Sequence, residues 1–161
     1  MSPDIKVSLQ EFKERLESEI EAFFAEMKKE VDRKDPFMQE AVENMENIVL
    51  GGGKRLRAAL MYYSYLGAGG TNKEAILKAS VSVELIHAFL LVHDDIIDRD
   101  HLRHGVKTLH SRYSEKAKQF FPEKNSEHFG NSIAIILGDM LYAFGNEVIF
   151  RANFPKERVF A

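Results

Sequence analysis

An all-α fold is predicted from three observations. Apolar residues recur at spacings of three and four through most of the 161 residues, which is the period of one helix face. Serine, threonine and aspartate stand just ahead of these stretches and glycines just behind them, as at helix starts and stops. No stretch sustains the period-two alternation of a half-buried strand.

The elements run in order from the N-terminus. Ser8 with Glu11 reads as a capping box. It opens a long helix whose stripe is Leu9, Phe12, Leu16, Ile20, Phe23, Met27 and Val31, ending near Lys34. Asp35-Pro36 is a second start signal, since proline suits the first helical position. Phe37, Ala41, Met45, Ile48 and Val49 then mark a second helix, stopped by Gly51-Gly52-Gly53. A third runs from about Lys54 to Leu66 and ends at the glycine-rich residues 67–70. Thr71 with Glu74 forms another capping box, opening an apolar helix that carries Ile76, Ala79, Val83, Ile86 and Leu90 down to an aspartate cluster. Gly105 interrupts the helical pattern beyond that cluster, and a short helix is expected over Thr108–Tyr113. Residues 114–128 are polar and contain Pro122, so they read as a loop with room for one helical piece. A last helix is expected from about Asn131 to Ala152 with Gly138-Asp139 inside it, and Pro155 comes after it.

Composition narrows the function classes. A chain of this length normally makes one domain with a real core. With 22 basic and 25 acidic residues, net charge -3, a general nucleic-acid binder is not expected. There is no cysteine, hence no disulfide and no zinc–thiolate site. The first ten residues lack a basic start followed by an apolar run, and the longest contiguous apolar stretches, Ala88–Val92 and Ile133–Leu137, are far shorter than a bilayer span. The expectation is a cytoplasmic protein with no transmembrane segment.

The chemistry concentrates in residues 84–110. Asp94 and Asp98 are four apart, so on a helix they project from one face. Two carboxylates about 4 Å apart repel by roughly 4 kcal/mol at an effective dielectric near 20, and acids at a helix C-terminus also oppose its dipole. A hard divalent cation relieves both, and Mg²⁺ characteristically binds one or two carboxylates together with substrate phosphates. The alternative is an acidic, solvated helix end. Upstream, Gly51–Gly53 places flexible backbone N–H groups beside Lys54 and Arg57, which are three apart and so expected to share a helix face, a pattern suited to an anion. The competing reading is a glycine stop followed by surface cations. His87, seven residues before Asp94, falls on about the same helix face; a core histidine is the bland alternative. Beyond the acids come Arg99, Arg103, His104 and Lys107, which either balance the acids or hold the far oxygens of a metal-bound phosphate. A diphosphate on a hydrocarbon chain would satisfy the metal cluster, the anion sites and the apolar interior together.

These motifs, GGGKRLR, ELIHAFLLVHDDIID, LRHG-x-x-T-x-H and AIILGD, stand in the order seen in trans-isoprenyl diphosphate synthases, and the stretch from about Asn44 to Ile149 resembles that polyprenyl synthetase family. The resemblance implies a helical bundle around a deep central cavity, usually a homodimer, condensing isopentenyl diphosphate with an allylic diphosphate to give a short-chain (C15–C20) product. It implies that Asp94 and Asp98 hold Mg²⁺ bridging the allylic diphosphate, with Asp95 in the same catalytic motif, and that Arg103 grips that diphosphate. Lys54, Arg57 and His87 match the isopentenyl diphosphate site. His104 stands where the family has the second arginine of Arg-Arg-Gly, so any diphosphate contact it makes depends on pH. Phe89 and Leu90 occupy the positions that limit product length.

Departures accompany the resemblance. Ala58 stands where the family often has proline, and residues 114–128 look like an inserted loop. The second aspartate-rich motif is absent, so the chain corresponds to an N-terminal half, expected to turn over weakly alone. A non-catalytic diphosphate-binding or partner subunit is the alternative. A third reading takes His93-Asp94 as the dyad of an HD-type metal phosphohydrolase, with His87, His101 or His110 as further ligands; it leaves GGGKRLR unexplained.

Overall fold

The computed structural model describes residues 3–31 and 35–154. Among them are six helices and one small hairpin: α1 (Pro3–Glu30), α2 (Pro36–Leu50), α3 (Leu56–Gly67), α4 (Lys73–Ile97), β1 (Leu102–Arg103), β2 (Val106–Lys107), α5 (Leu109–Ala117) and α6 (Glu123–Arg151). The all-α class holds. The described residues fall into two compact units, one within 1–85 and 144–154 and one over 86–143.

In the first unit, α1 packs on α2 and α3. Its stripe is buried at Phe12, Leu16 and Ile20, but Phe24 rather than Phe23 completes it. The Ser8–Glu11 capping box does not form, because the helix is already under way at Pro3 and the Ser8 hydroxyl pairs with the Tyr63 hydroxyl at 2.7 Å. The expected helix end at Lys34 lies outside the described residues. Asp35 caps α2 as expected: its Oδ1 accepts from the Phe37 and Met38 amides at 3.1 Å, with Pro36 at the first position. Instead of the Thr71 capping box, Asn72 caps the helix: its Oδ1 accepts from Ala75 N at 3.0 Å and its carbonyl takes the Ile76 amide. Either way one orphan donor of the first turn is satisfied.

The second unit contains the end of α4, the hairpin, α5 and the start of α6. Its core is Ala88, Val92, Leu109, Tyr113, Ala117, Ala134, Leu137 and Leu141. The loop expected over 114–128 is mostly helix: α5 runs on to Ala117, α6 begins at Glu123, and only residues 118–122 connect them. Pro122 marks the start of α6 instead of a loop interior, in keeping with proline's place just ahead of a helix. Two glycines allow close approach here. A Cβ at Gly130 would meet Ser114 Oγ at 2.0 Å, joining α6 to α5; one at Gly138 would meet the His93 ring at 2.7 Å, joining α6 to α4.

The apolar stretches that the sequence shows as too short to span a bilayer lie within longer helices, two of which pass a length-and-composition test that core helices of soluble proteins also pass. Over 18-residue windows, α4 and α6 are long and apolar enough to cross a bilayer by length and composition. Contiguous runs understate this because small and polar residues interrupt them. The α4 window is 61% buried, as a core helix should be.

Candidate functional site

The acid cluster ends α4. Asp98 lies one residue past the last helical position, yet its amide still donates to Asp94 O at 2.8 Å, so helical spacing persists through both. Asp94 and Asp98 are exposed, whereas Asp95 is 6% exposed. The three carboxylates therefore divide. Asp94 and Asp98 present hard oxygens to solvent, and Asp95 turns inward. Two exposed carboxylates on neighbouring turns are a donor set that fits a Mg²⁺ ion completed by substrate oxygens. Among the described residues no three His, Asp or Glu side chains are grouped to cage a metal by themselves.

Asp95 is held by Arg103. The guanidinium donates from Nε to Asp95 Oδ1 at 2.7 Å, and its Nη2 lies 2.5 Å from the same oxygen. That hydrogen bond raises the arginine's pKa, outweighing the opposing effect of burial, and Asp95, Asp100 and Asp94 add to the rise. Arg103 reaches this position because residues 102–107 fold back as an antiparallel hairpin, Leu102 opposite Lys107 and Arg103 opposite Val106. The two-residue turn is His104-Gly105, with φ of +51° and +80°. A turn with positive φ at both positions matches strand twist, and glycine supplies it freely; histidine is among the residues enriched in that region. His104 is thus the tip of a turn, exposed, beside the arginine that precedes it. The hairpin escaped the sequence reading because two-residue strands carry no period; the x-Gly pair between Arg103 and Val106 was the available signal.

Below the hairpin lies a polar cluster, of which the sequence offered only His101 and His110, as alternative metal ligands. Thr108 Oγ1 donates to Asp100 O at 2.8 Å and lies 3.2 Å from His110 Nδ1 and 3.1 Å from Ser111 Oγ. His101 Nδ1 is 2.9 Å from Ser111 Oγ. Burial, and then the neighbouring His101, push the His110 imidazole below its ordinary pKa, against Asp95, Glu127 and Asp100. A cavity of about 680 Å³ lined by Arg99, His101, Lys107, His110 and Ser114 opens beside this cluster and does not include Asp94 or Asp98.

In the first unit the glycine motif is only partly what its spacing suggests. Gly52 and Gly53 adopt φ of +120° and +111°, and α3 starts at Leu56 with Arg55 as its left-handed cap. Lys54 therefore precedes the helix, and its expected shared helix face with Arg57 does not form. Both are exposed. Arg55, passed over in the sequence, is 6% exposed and bridges two acids: Nε donates to Glu17 at 3.1 Å and Nη1 to Glu84 at 3.0 Å. His87 is half-buried and belongs to the second unit.

Part of the exposed surface of the second unit is apolar. On α4, Leu90 is 54% and Ile97 76% exposed; on α6, Ile135, Ile136 and Tyr142 are exposed too. Leu90 and Asp94 are one turn apart on α4. The Phe89 ring packs 4.6 Å from that of His93 and 5.2 Å from that of Tyr142. His93 Nε2 lies 3.5 Å from Asp139 Oδ1, beneath Gly138. His93 thus packs between α4 and α6.

Comparison with known proteins is consistent with this geometry. A family model described as polyprenyl synthetase matches residues 38–160. A geranylgeranyl pyrophosphate synthase of Geoglobus acetivorans is 37% identical over 108 residues, covering 67% of this chain and 28% of the relative. The geranylgeranyl diphosphate synthase of Methanosarcina mazei is 36% identical, covering 70% and 29%. The crystal structure of a Corynebacterium glutamicum geranylgeranyl pyrophosphate synthase, complexed with isoprenyl diphosphate and magnesium, superposes with a TM-score of 0.83 at 28% identity, covering 94% of this chain and 44% of that one. The chain thus spans about a third of the length of the curated relatives it matches.

Proposed function

The chain belongs to the polyprenyl synthetase family, and from that premise we propose that it carries the allylic-diphosphate part of a short-chain prenyl diphosphate synthase, farnesyl to geranylgeranyl in product length. The observation that carries the reading is the division within Asp94-Asp95-Ile-Ile-Asp98. The outer carboxylates face solvent while the inner one anchors Arg103, so the motif offers two exposed carboxylates and holds a guanidinium on the acid between them.

Asp94 and Asp98 are the residues that would hold Mg²⁺. When bound, the metal supplies charge neutralisation to a departing diphosphate. Arg103 offers the N–H groups that Asp95 leaves free to the diphosphate oxygens, in the forked geometry that suits them. We assign Lys54 and Arg57, exposed cations of the first unit, to isopentenyl diphosphate. Leu90 and its exposed apolar neighbours would meet the growing hydrocarbon, while Phe89, packed on Tyr142, would set the depth available to it. A homodimeric, cytoplasmic enzyme is part of the same proposal.

The test is condensation of labelled isopentenyl diphosphate with farnesyl diphosphate and Mg²⁺, by this chain and by the gene's longest reading frame. Activity in the longer protein is expected, falling about a thousandfold in Asp94→Ala, roughly 4 kcal/mol of lost transition-state stabilisation. Absence of condensation from both, with Mg²⁺–diphosphate binding retained, would instead favour a diphosphate-binding or partner subunit.

A further inference from the structure

We propose that Thr108 and His110 are positioning residues for Arg103: together with Ser111 and His101 they latch the β1–β2 hairpin, and the latched hairpin holds the guanidinium on Asp95. The latch rests on geometry in the second unit alone; its consequence for catalysis rests on the reading of Arg103 as a diphosphate ligand.

A hairpin with two residues in each strand has too little pairing to persist by itself in water. It also asks His104 for a positive φ, which a residue with a Cβ adopts less readily than glycine. Something at its base must therefore hold it. The base is where the buried polar groups gather. The Thr108 amide donates to His101 O at 3.1 Å, extending the ladder by one rung. The Thr108 hydroxyl, in a residue only 4% exposed, donates to Asp100 O at 2.8 Å. A carbonyl can only accept, so the hydroxyl's single proton is committed there, and its lone pairs remain for His110 and Ser111. His110, 5% exposed, fills the space behind it. The Asp100 amide in turn donates to Asp95 O at 2.9 Å. Thr108 is thus linked through Asp100 to the backbone of the residue that receives Arg103. Removing the hydroxyl orphans the Asp100 carbonyl and loosens both strands at once, and Arg103 sits on the strand so released.

The experiment tracks the Arg103 Nε–H signal by solution NMR, assigned by its loss in Arg103→Lys. In Thr108→Val, exchange of that proton with water is expected to accelerate about tenfold, with Thr108→Ser restoring it, since serine keeps the hydroxyl. Amide signals from α6 should stay in place. In parallel, calorimetric binding of inorganic diphosphate with Mg²⁺ should weaken about tenfold in Thr108→Val, recover in Thr108→Ser, and show no further loss when Thr108→Val is added to Arg103→Met. Unchanged Arg103 exchange in Thr108→Val, or equal acceleration in the serine and valine variants, overturns the proposal. So does a loss in the double variant that is simply additive. If the exchange results hold but the unsubstituted chain binds no diphosphate, the latch stands and the assignment of Arg103 to diphosphate fails. Should Thr108→Val not fold, His110→Gln is read by the same signal, where acceleration supports the latch and unchanged exchange overturns it.

Discussion

Arg55 and Arg103 occupy motifs of similar appearance, a cationic run after glycines and one after aspartates, and the fold uses them differently. Arg55 is almost wholly buried in the first unit and spends its guanidinium on Glu17 and Glu84. Arg103, its side chain about a third exposed in the second unit, spends part of its guanidinium on one oxygen of Asp95. The contrast separates two meanings of a charged residue in a motif. Where both partners are withdrawn from water, the ion pair fixes helices against each other. Where one side stays open, the pair prepares a charge for something that arrives from solvent.

The widest gap between the two should appear on truncation. Arg55→Met leaves Glu84 buried without its partner, and breaking such a pair costs about 3–5 kcal/mol. Arg103→Met leaves Asp95 near solvent that can reach it, at about 1–2 kcal/mol. Denaturant midpoints of the two variants measure the difference. Affinity for Mg²⁺–diphosphate should reverse the order: unchanged in folded Arg55→Met, weakened about tenfold to a hundredfold in Arg103→Met, the worth of a charge-assisted bond. Equal stability losses, or equal binding losses, would erase the distinction.

Much of this was legible before the structure. The stripe Phe12, Leu16 and Ile20, the Asp35-Pro36 start and the glycine stop at Gly51 are local signals, and local signals survive folding. Asp94 and Asp98 were legible because helical spacing carries them to one face whatever the surroundings. Burial was not legible: Arg55 and Lys54 are adjacent cations in the sequence, and only the packing of α1 and α4 around Arg55, through Glu17 and Glu84, draws one inward and leaves the other out. The hairpin and its base were hidden for a related reason, since Thr108, His110 and Asp100 gain meaning only when the chain folds back. Residues 114–128 looked like a loop because polar composition resembles one; they are helical because Ala117, Ser126 and Gly130 pack, which polarity does not reveal.

A smaller effect probes the second unit without touching its charges. In Gly138→Ala the new methyl would meet the His93 ring at 2.7 Å and Val92 at 3.4 Å, forcing α4 and α6 apart at a cost of about 1–3 kcal/mol. Hydrogen exchange should quicken along the part of α4 that leads to Asp94 and stay unchanged around Arg55. Faster exchange at both arginines would mean that the two regions open together, and the comparison would then describe one cooperative fold.

Acid offers the finest discrimination, because the Arg55 cluster contains no histidine and the base of the Arg103 hairpin does. Burial holds the His110 imidazole below its ordinary value of 6.5, helped by His101 and opposed by Asp95, Glu127 and Asp100. The sign comes from proton uptake. As pH falls through 6.5 the unfolded chain binds a proton that the folded chain still refuses, so stability declines from there until the lower folded value is passed. Above 6.5 both states are neutral at this site and it contributes no slope. Stability measured between pH 8 and pH 5 should therefore fall more steeply in the unsubstituted chain than in His110→Gln, the difference opening only below 6.5. NMR should show the protection of Arg103 Nε–H, its exchange rate relative to the intrinsic rate at each pH, falling in the same window while the Arg55 Nε–H stays protected. Parallel pH profiles for the two proteins, or simultaneous loss of both arginine signals, would show that the hairpin draws no pH sensitivity from His110.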